Sequence, residues 1–243
     1  MKNEHIRIIE KEVIHIKEDN VMRVEKKYLL DDITALRLRS RLQAVVPPDP
    51  MGGAAGYMVR SLYFDTLYDN DYYDKQNGLE YRQKIRLRIY SANDRTAKLE
   101  LKEKRGQSQW KRSLTISAED AGRLIQMDYG VLATIDTPFA QEMFRIMQTG
   151  LYVPKTIVQF WRAAYAIGTN NTRITLDTKL MATESCFDLF SDKLSFYPIL
   201  LQPILEVKYN HFLLGYLKQL LSGIDQPELS MSKYCMARQI SFY

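Results

Sequence analysis

Polar and apolar residues alternate along much of this chain, most regularly over residues 81–112. Arg82, Lys84, Arg86 and Arg88 take every second position, with Gln83, Ile85, Leu87 and Ile89 between them. Side chains of a strand point to opposite faces in turn, so this period predicts a strand with one cationic and one largely apolar face. After the turn-like SANDRT the alternation resumes, with Lys98, Glu100, Lys102 and Lys104 set against Ala97, Leu99 and Leu101. Two such strands make a hairpin with a basic side. Lys111, Ser113 and Thr115, alternating with Arg112, Leu114 and Ile116, predict a third strand of the same sheet.

The same period marks strands at residues 21–30, where Arg23, Glu25 and Lys27 share a face, and at 57–66, 156–166, 172–178 and 203–209, the last with Glu206 and Lys208 on one face. Asp31 and Asp32 stand where an N-cap belongs, and Ala35, Leu38, Leu42 and Val45 form a helical stripe that ends before Pro47 and Pro48. Ser117 with Asp120 resembles a capping box and predicts a helix to about residue 129. Thr137-Pro138 opens another helix that Gly150 ends, residues 211–221 form one closed by Gly223, and a last helix follows Ser230. NDYYDKQNG reads as a segment closing in an Asn77-Gly78 turn, and the stretch before residue 203 as irregular. Residues 1–20 show no clear period and read as an N-terminal extension, with residues 21–243 as one domain. The sum is an α+β fold of about eight mostly antiparallel strands with helices packed outside. If the sheet closes into a barrel, its lumen is charged and can hold a ligand.

Charge sharpens the picture. Residues 82–112 carry 11 Lys or Arg against 3 acidic residues, and the remainder 23 against 26, so the net +5 arises as +8 here and −3 elsewhere. Like charges opposite one another across strands are destabilising, which points to an anionic ligand rather than a merely solvated face. Cys186 and Cys235 are too few for a disulfide framework or a zinc ligand set, so a reducing, cytoplasmic setting is expected. No signal peptide or uncharged membrane-length apolar run is present. No GxxxxGK[ST] loop occurs, which argues against a P-loop enzyme, and the aromatic-and-basic interleaving of an RNA-recognition sheet is absent, so no nucleic-acid partner is expected. Tyr63 and Phe64 read as sheet contacts, and His5, His15 and His211 lack metal-ligand spacing.

The segments RVEKKY, SLYFDT, GLEYRQKIRLRIY, LELKEK, QWKR, WRAAY, RITLDT, ILEVKY and SMSKY run in order from residue 23 to 234. Together they resemble the triphosphate tunnel metalloenzymes of the CYTH-like superfamily, and within them the VTC domain of polyphosphate polymerases, bacterial stand-alone members included. The resemblance implies an eight-stranded tunnel in which Lys27, Arg86, Arg88, Lys102, Lys111, Arg162, Arg173 and Lys233 hold phosphates. Lys27, Arg86, Arg88 and Lys233 would act in catalysis and Glu206 as the metal-binding carboxylate. Lys233 alone could equally be a solvated first-turn residue; the match of SMSKY favours a lid over the phosphates.

Three departures bear on this. Arg23 stands where related hydrolases carry a Glu, which favours the polymerase branch and removes one metal ligand. Phe160-Trp161 precede Arg162 where the family leads one to expect a nearby Tyr. The SPX domain and membrane helices of the eukaryotic polymerases are not recognisable, so control by inositol phosphates through such a domain is not expected of this chain.

Phosphoryl transfer mainly requires positioning and the stabilisation of spread negative charge, for which Arg forks and Lys point charges suit a polyphosphate tail. Mn²⁺ or Mg²⁺ is expected on one or two carboxylates plus substrate oxygens; Glu206 leads, with Glu100, Glu25 and Asp177 behind it. Glu100 and Glu25 have internal ion pairs as their competing reading, and Asp177 a turn contact at a strand end. The leading expectation is a polymerase moving the terminal phosphate of ATP onto polyphosphate. A tripolyphosphatase or nucleoside triphosphatase of the same fold and a non-catalytic polyphosphate-binding module are the alternatives. ATP and inorganic polyphosphate or pyrophosphate are the expected partners, and a separate membrane partner stays open.

Overall fold

The computed structural model describes residues 23–53, 55–106 and 108–241. The predicted extension, residues 21 and 22, and the side chain of Arg23 lie outside the described residues. Nine strands form one antiparallel sheet: β1 (Arg23–Leu29), β2 (Tyr57–Thr66), β3 (Tyr81–Ile89), β4 (Thr96–Arg105), β5 (Ser108–Ser117), β6 (Tyr152–Ile167), β7 (Thr172–Thr183), β8 (Tyr197–Leu200) and β9 (Ile204–Asn210). Their order is β1-β9-β7-β6-β2-β3-β4-β5, with β8 paired to β7. The α+β class and the antiparallel pairing are those that the alternation predicts. Barrel closure is not seen: among the described residues no ladder joins β5 to β1. The sheet nevertheless curls far enough for Lys102 of β4 to reach Glu25 of β1 at 4.0 Å.

Because the side-chain period is two, the register assigns every strand one face to each side. The convex face is apolar and carries two cores. Ile85, Leu87, Leu99, Leu101 and Leu114 pack under α3 (Ala118–Ile125), α4 (Gly130–Ala133) and α5 (Pro138–Thr149). Ile174, Leu176, Leu205 and Val207 pack under α1 (Asp32–Val45) and α6 (Gly215–Leu221). On the concave face α7 (Lys233–Ser241) sets Tyr234, Cys235 and Ala237 against Val59, Tyr63, Val158 and Phe160, filling one part of the curl and leaving the rest to charged side chains.

Several elements differ from the sequence pattern for local reasons. The segment before the Asn77-Gly78 turn is a helix, α2 (Asn70–Gln76), whose first N–H groups are capped from β2: Asp65 accepts from Asp71 and Tyr72, and Thr66 Oγ1 from Asn70. The capping box is present, Asp120 N–H donating to Ser117 Oγ at 3.0 Å, but α3 stops at Ile125, before a left-handed Met127. Gly150 ends α5 with φ −80°, and the left-handed residue is Leu151 instead. Glycine is required at 150 by close approach, since a Cβ there would lie 2.8 Å from the Ile146 carbonyl and the Tyr152 ring. The irregular stretch contains β8, and α6 begins at Gly215 rather than 211.

Candidate active site

Register fixes which side chains share the concave face. Lys27 is opposite Glu206, Glu25 opposite Lys208, and Arg173 opposite Lys208. Asp177 is opposite Arg162, Arg162 opposite Tyr57, Arg86 opposite both Tyr63 and Glu100, and Lys102 opposite Lys111. The strand cations named from the sequence therefore lie on one face, which Lys233 of α7 joins through Asp177, and three buried carboxylates organise most of them.

Glu100, 1% exposed, is the first. Arg86 Nε donates to its Oε2 at 2.7 Å, Arg88 Nη2 lies 3.7 Å from the same oxygen, and Lys111 Nζ lies 2.6 Å from Oε1. Burial alone would raise the Glu100 pKa; Arg86, Arg88 and Lys111 hold it well below the usual carboxylate range. Arg86 also donates to Tyr63 Oη at 3.0 Å. The second is Asp177, which lies within β7 and not at a strand end, so the turn contact is replaced by a fork-to-fork pair. Arg162 Nε and Nη2 each donate at 2.7 Å, and Lys233 Nζ lies 2.8 Å from Oδ2. The Phe160 ring lies under Lys233 at 4.8 Å and under Arg162 at 5.1 Å. Cation–π attraction thus helps to hold both cations.

Glu206, 6% exposed, is the third. Lys208 Nζ lies 2.7 Å from Oε1 and Arg162 Nη2 3.6 Å from Oε2. Burial would raise its pKa, but Lys208, Lys27, Lys233 and Arg162 hold it well below the usual value. Beside it Glu25 receives Lys27 at 2.6 Å and Lys208 at 3.5 Å. Lys102 is the least provided for of the cations named from the sequence motifs: burial and the neighbouring Lys208 and Lys27 outweigh Glu25 and push its pKa down to about 7. Lys111 is lowered to about 8, chiefly by burial against the pull of Glu100. Arg173 stands apart, pairing with Asp49 at 2.7 Å and donating to Tyr57 Oη at 3.0 Å.

The sequence reading missed Lys208 as a site residue, although its alternation with Glu206 was the available signal. The ion-pair readings of Glu25 and Glu100 describe both side chains as they stand. Among the described residues no three His, Cys, Asp or Glu side chains come together as a complete metal site. Glu206, with Oε1 2.7 Å from Lys208 and Oε2 3.6 Å from Arg162, could hold Mn²⁺ or Mg²⁺ only in company with phosphate oxygens and water.

A direct search of curated proteins finds no match. Among solved structures the fold is similar to a proposed adenylate cyclase from Bacillus halodurans, at 15% identity and TM-score 0.52 over 87% of this chain and 94% of that one. It is also similar to a proposed adenylyl cyclase from Hippeastrum with a dominant triphosphatase activity, at 16% identity and TM-score 0.54 over 90% and 96%. Likeness at these identities is one of fold. The sequence itself matches the VTC domain profile over residues 22–242, which takes in every strand of the sheet and each of the three carboxylate clusters: the chain belongs to the VTC domain family.

Proposed function

We propose that this protein is a metal-dependent polyphosphate polymerase, which moves the terminal phosphate of ATP onto a growing polyphosphate chain held on the concave face and releases ADP. The observation that carries the reading is the pairing of Arg86, Arg88 and Lys111 with buried Glu100, of Arg162 and Lys233 with buried Asp177, and of Lys27 with half-buried Glu25 beside Glu206. Each cation is held ready by a carboxylate that a phosphate oxygen can replace. Arg86, Arg88 and Arg162 present forks suited to phosphate, while Lys27, Lys102, Lys111 and Lys233 add point charge and Arg173 holds the substrate farther out.

In the transfer, the bond from the terminal phosphorus to the bridging oxygen of ADP breaks and one to the end oxygen of the acceptor chain forms. Arg86, Arg88, Lys27 and Lys233 offset the charge spread over the equatorial oxygens. Mn²⁺ or Mg²⁺, held by Glu206 and substrate oxygens, would neutralise charge on the leaving phosphates. A triphosphatase reading is favoured by Glu25, a carboxylate beside Glu206 that could orient water. Incubating purified protein with ATP and Mn²⁺ and separating polyphosphate from free phosphate tests the choice. Long polyphosphate with ADP is expected, with Arg23→Glu raising the free-phosphate share. Free phosphate as the dominant wild-type product would reject the polymerase, and polyphosphate binding without turnover would favour a binding module.

A further inference from the structure

The neutralisation just described stops short of one end of the basic face. On β3, β4 and β5, Arg86 is opposite Glu100, but the next rung sets Lys84, Lys102 and Lys111 side by side, and the one beyond sets Arg82 opposite Lys104. Lys111 turns back to Glu100, and Lys102 has only Glu25 at 4.0 Å. Arg82, Lys84 and Lys104 form no ion pair among the described residues, and neither does Lys75, which α2 brings to the same end.

What these amines meet instead is hydroxyl. Residues 229–232 cross this end of the curl from β1, where Leu229 N–H donates to the Lys27 carbonyl at 2.9 Å. Lys75 Nζ donates to Ser230 Oγ at 3.1 Å and Lys84 Nζ to Ser232 Oγ at 2.7 Å. Lys84 also lies 5.8 Å over the Tyr234 ring. Burial lowers the pKa of both lysines; at Lys84 Cys235, Tyr63 and Asp71 oppose this while Arg86 adds to it, and at Lys75 Arg82 adds to it. Opposed like charges without an ion-pair partner destabilise a sheet, and serine hydroxyls beside them can donate to the anion that would relieve it.

We propose that Lys75, Arg82, Lys84 and Lys104, with the hydroxyls of Ser230 and Ser232, form a second anion subsite, distinct from the carboxylate-buffered centre, that takes a further stretch of an inorganic polyphosphate chain. It rests on the reading that this face binds polyphosphate. Arg82 is four residues from Arg86 on β3, about 13 Å along the strand. A tripolyphosphate seated at Arg86 leaves this end uncovered, whereas a long chain continues into it. The subsite thus discriminates by length.

The test is direct binding of tripolyphosphate and of a polyphosphate several tens of phosphates long, without reading turnover. In the triple variant Arg82→Gln/Lys84→Gln/Lys104→Gln, affinity for the long chain is expected to fall about tenfold or more and to depend less on salt, while tripolyphosphate affinity stays within about twofold. Equal losses for both ligands, or no loss for either, would overturn the proposal. So would a wild-type protein that binds the long chain no more tightly than tripolyphosphate. If the triple variant does not fold, Lys75→Gln/Ser230→Ala decides: a several-fold loss for the long chain alone supports the subsite, and unchanged binding overturns it. A wild type that prefers long chains yet makes no polymer would overturn the polymerase and leave the subsite standing.

Discussion

Glu206 keeps its charge in a place where water scarcely reaches it, because four cations offset the cost of burial. Glu206→Gln keeps the shape and removes the charge, so turnover is expected to fall by a hundredfold or more while the fold persists, as circular dichroism would show; full activity with unchanged metal dependence would refute the assignment. The folded-state pKa lies below the unfolded one, so the charge contributes stability above about pH 4.3 that is lost as pH falls through the folded value. The stability gap between wild type and Glu206→Gln should therefore narrow on acidification, as denaturant titrations at several pH values would show. Lys102 has the opposite linkage. Its pKa of about 7 lies below that of an unfolded lysine, so the unfolded chain binds more protons between pH 7 and 10 and ligand-free stability rises with pH there. Phosphate affinity should decline from pH 6 to pH 9 as the amine loses its charge, and Lys102→Arg should flatten that decline in a tripolyphosphate titration.

At the scale of elements, α7 is held to the sheet by polar bonds as much as by packing. Tyr234 donates to Asp65 at 2.5 Å, the same carboxylate that caps α2, and stacks on Tyr63 at 5.3 Å. Arg238 pairs with Glu184 at 2.9 Å and Asp69 at 3.1 Å. Tyr234→Phe keeps the stack and leaves a buried acceptor short of a donor, a cost of about 1–3 kcal/mol. Thermal melting should show that loss, with a several-fold drop in tripolyphosphate affinity as Lys233 loosens on the adjoining residue.

Strands such as β3, β4 and β9 were legible because one face is apolar and the other charged, so period and burial agree. The helix α2 was not, since its cap comes from Asp65 in the preceding strand and its own N-cap position, Asp69, makes no side-chain cap bond. Lys27, Arg86, Arg88 and Glu206 could be named from motif and parity. The hub roles of Glu100 and Asp177 could not, because they depend on which cations of neighbouring strands reach each carboxylate. That follows from register and not from spacing along one strand.

For the molecule as a whole, the proposed function makes an anion the counter-charge to the excess cations of the concave face. Tripolyphosphate at a hundred times its Kd should stabilise the fold by about 2.7 kcal/mol, a rise in Tm of roughly 5–10 °C. At the same concentration the shift should shrink at pH 9, where Lys102 and Lys111, lowered to about 7 and about 8, are largely neutral. Differential scanning calorimetry at the two pH values checks this, and an equal shift at both would remove these lysines from the binding account.

The gap between β5 and β1 has a topological consequence. A closed ring can be entered by a long polymer only from an end, and the polymer leaves only by sliding its whole length back through. Among the described residues no ladder joins β5 to β1, and the curl is bridged by the 4.0 Å contact of Glu25 with Lys102 and by residues 229–232, which bond to Lys27 of β1 and Lys84 of β3. Parting these bridges would break no strand ladder. On the proposed function, the middle of a chain could then be laid in sideways or lifted out, and the time a polymer stays bound would be set by these bridges and their salt sensitivity rather than by the polymer's length.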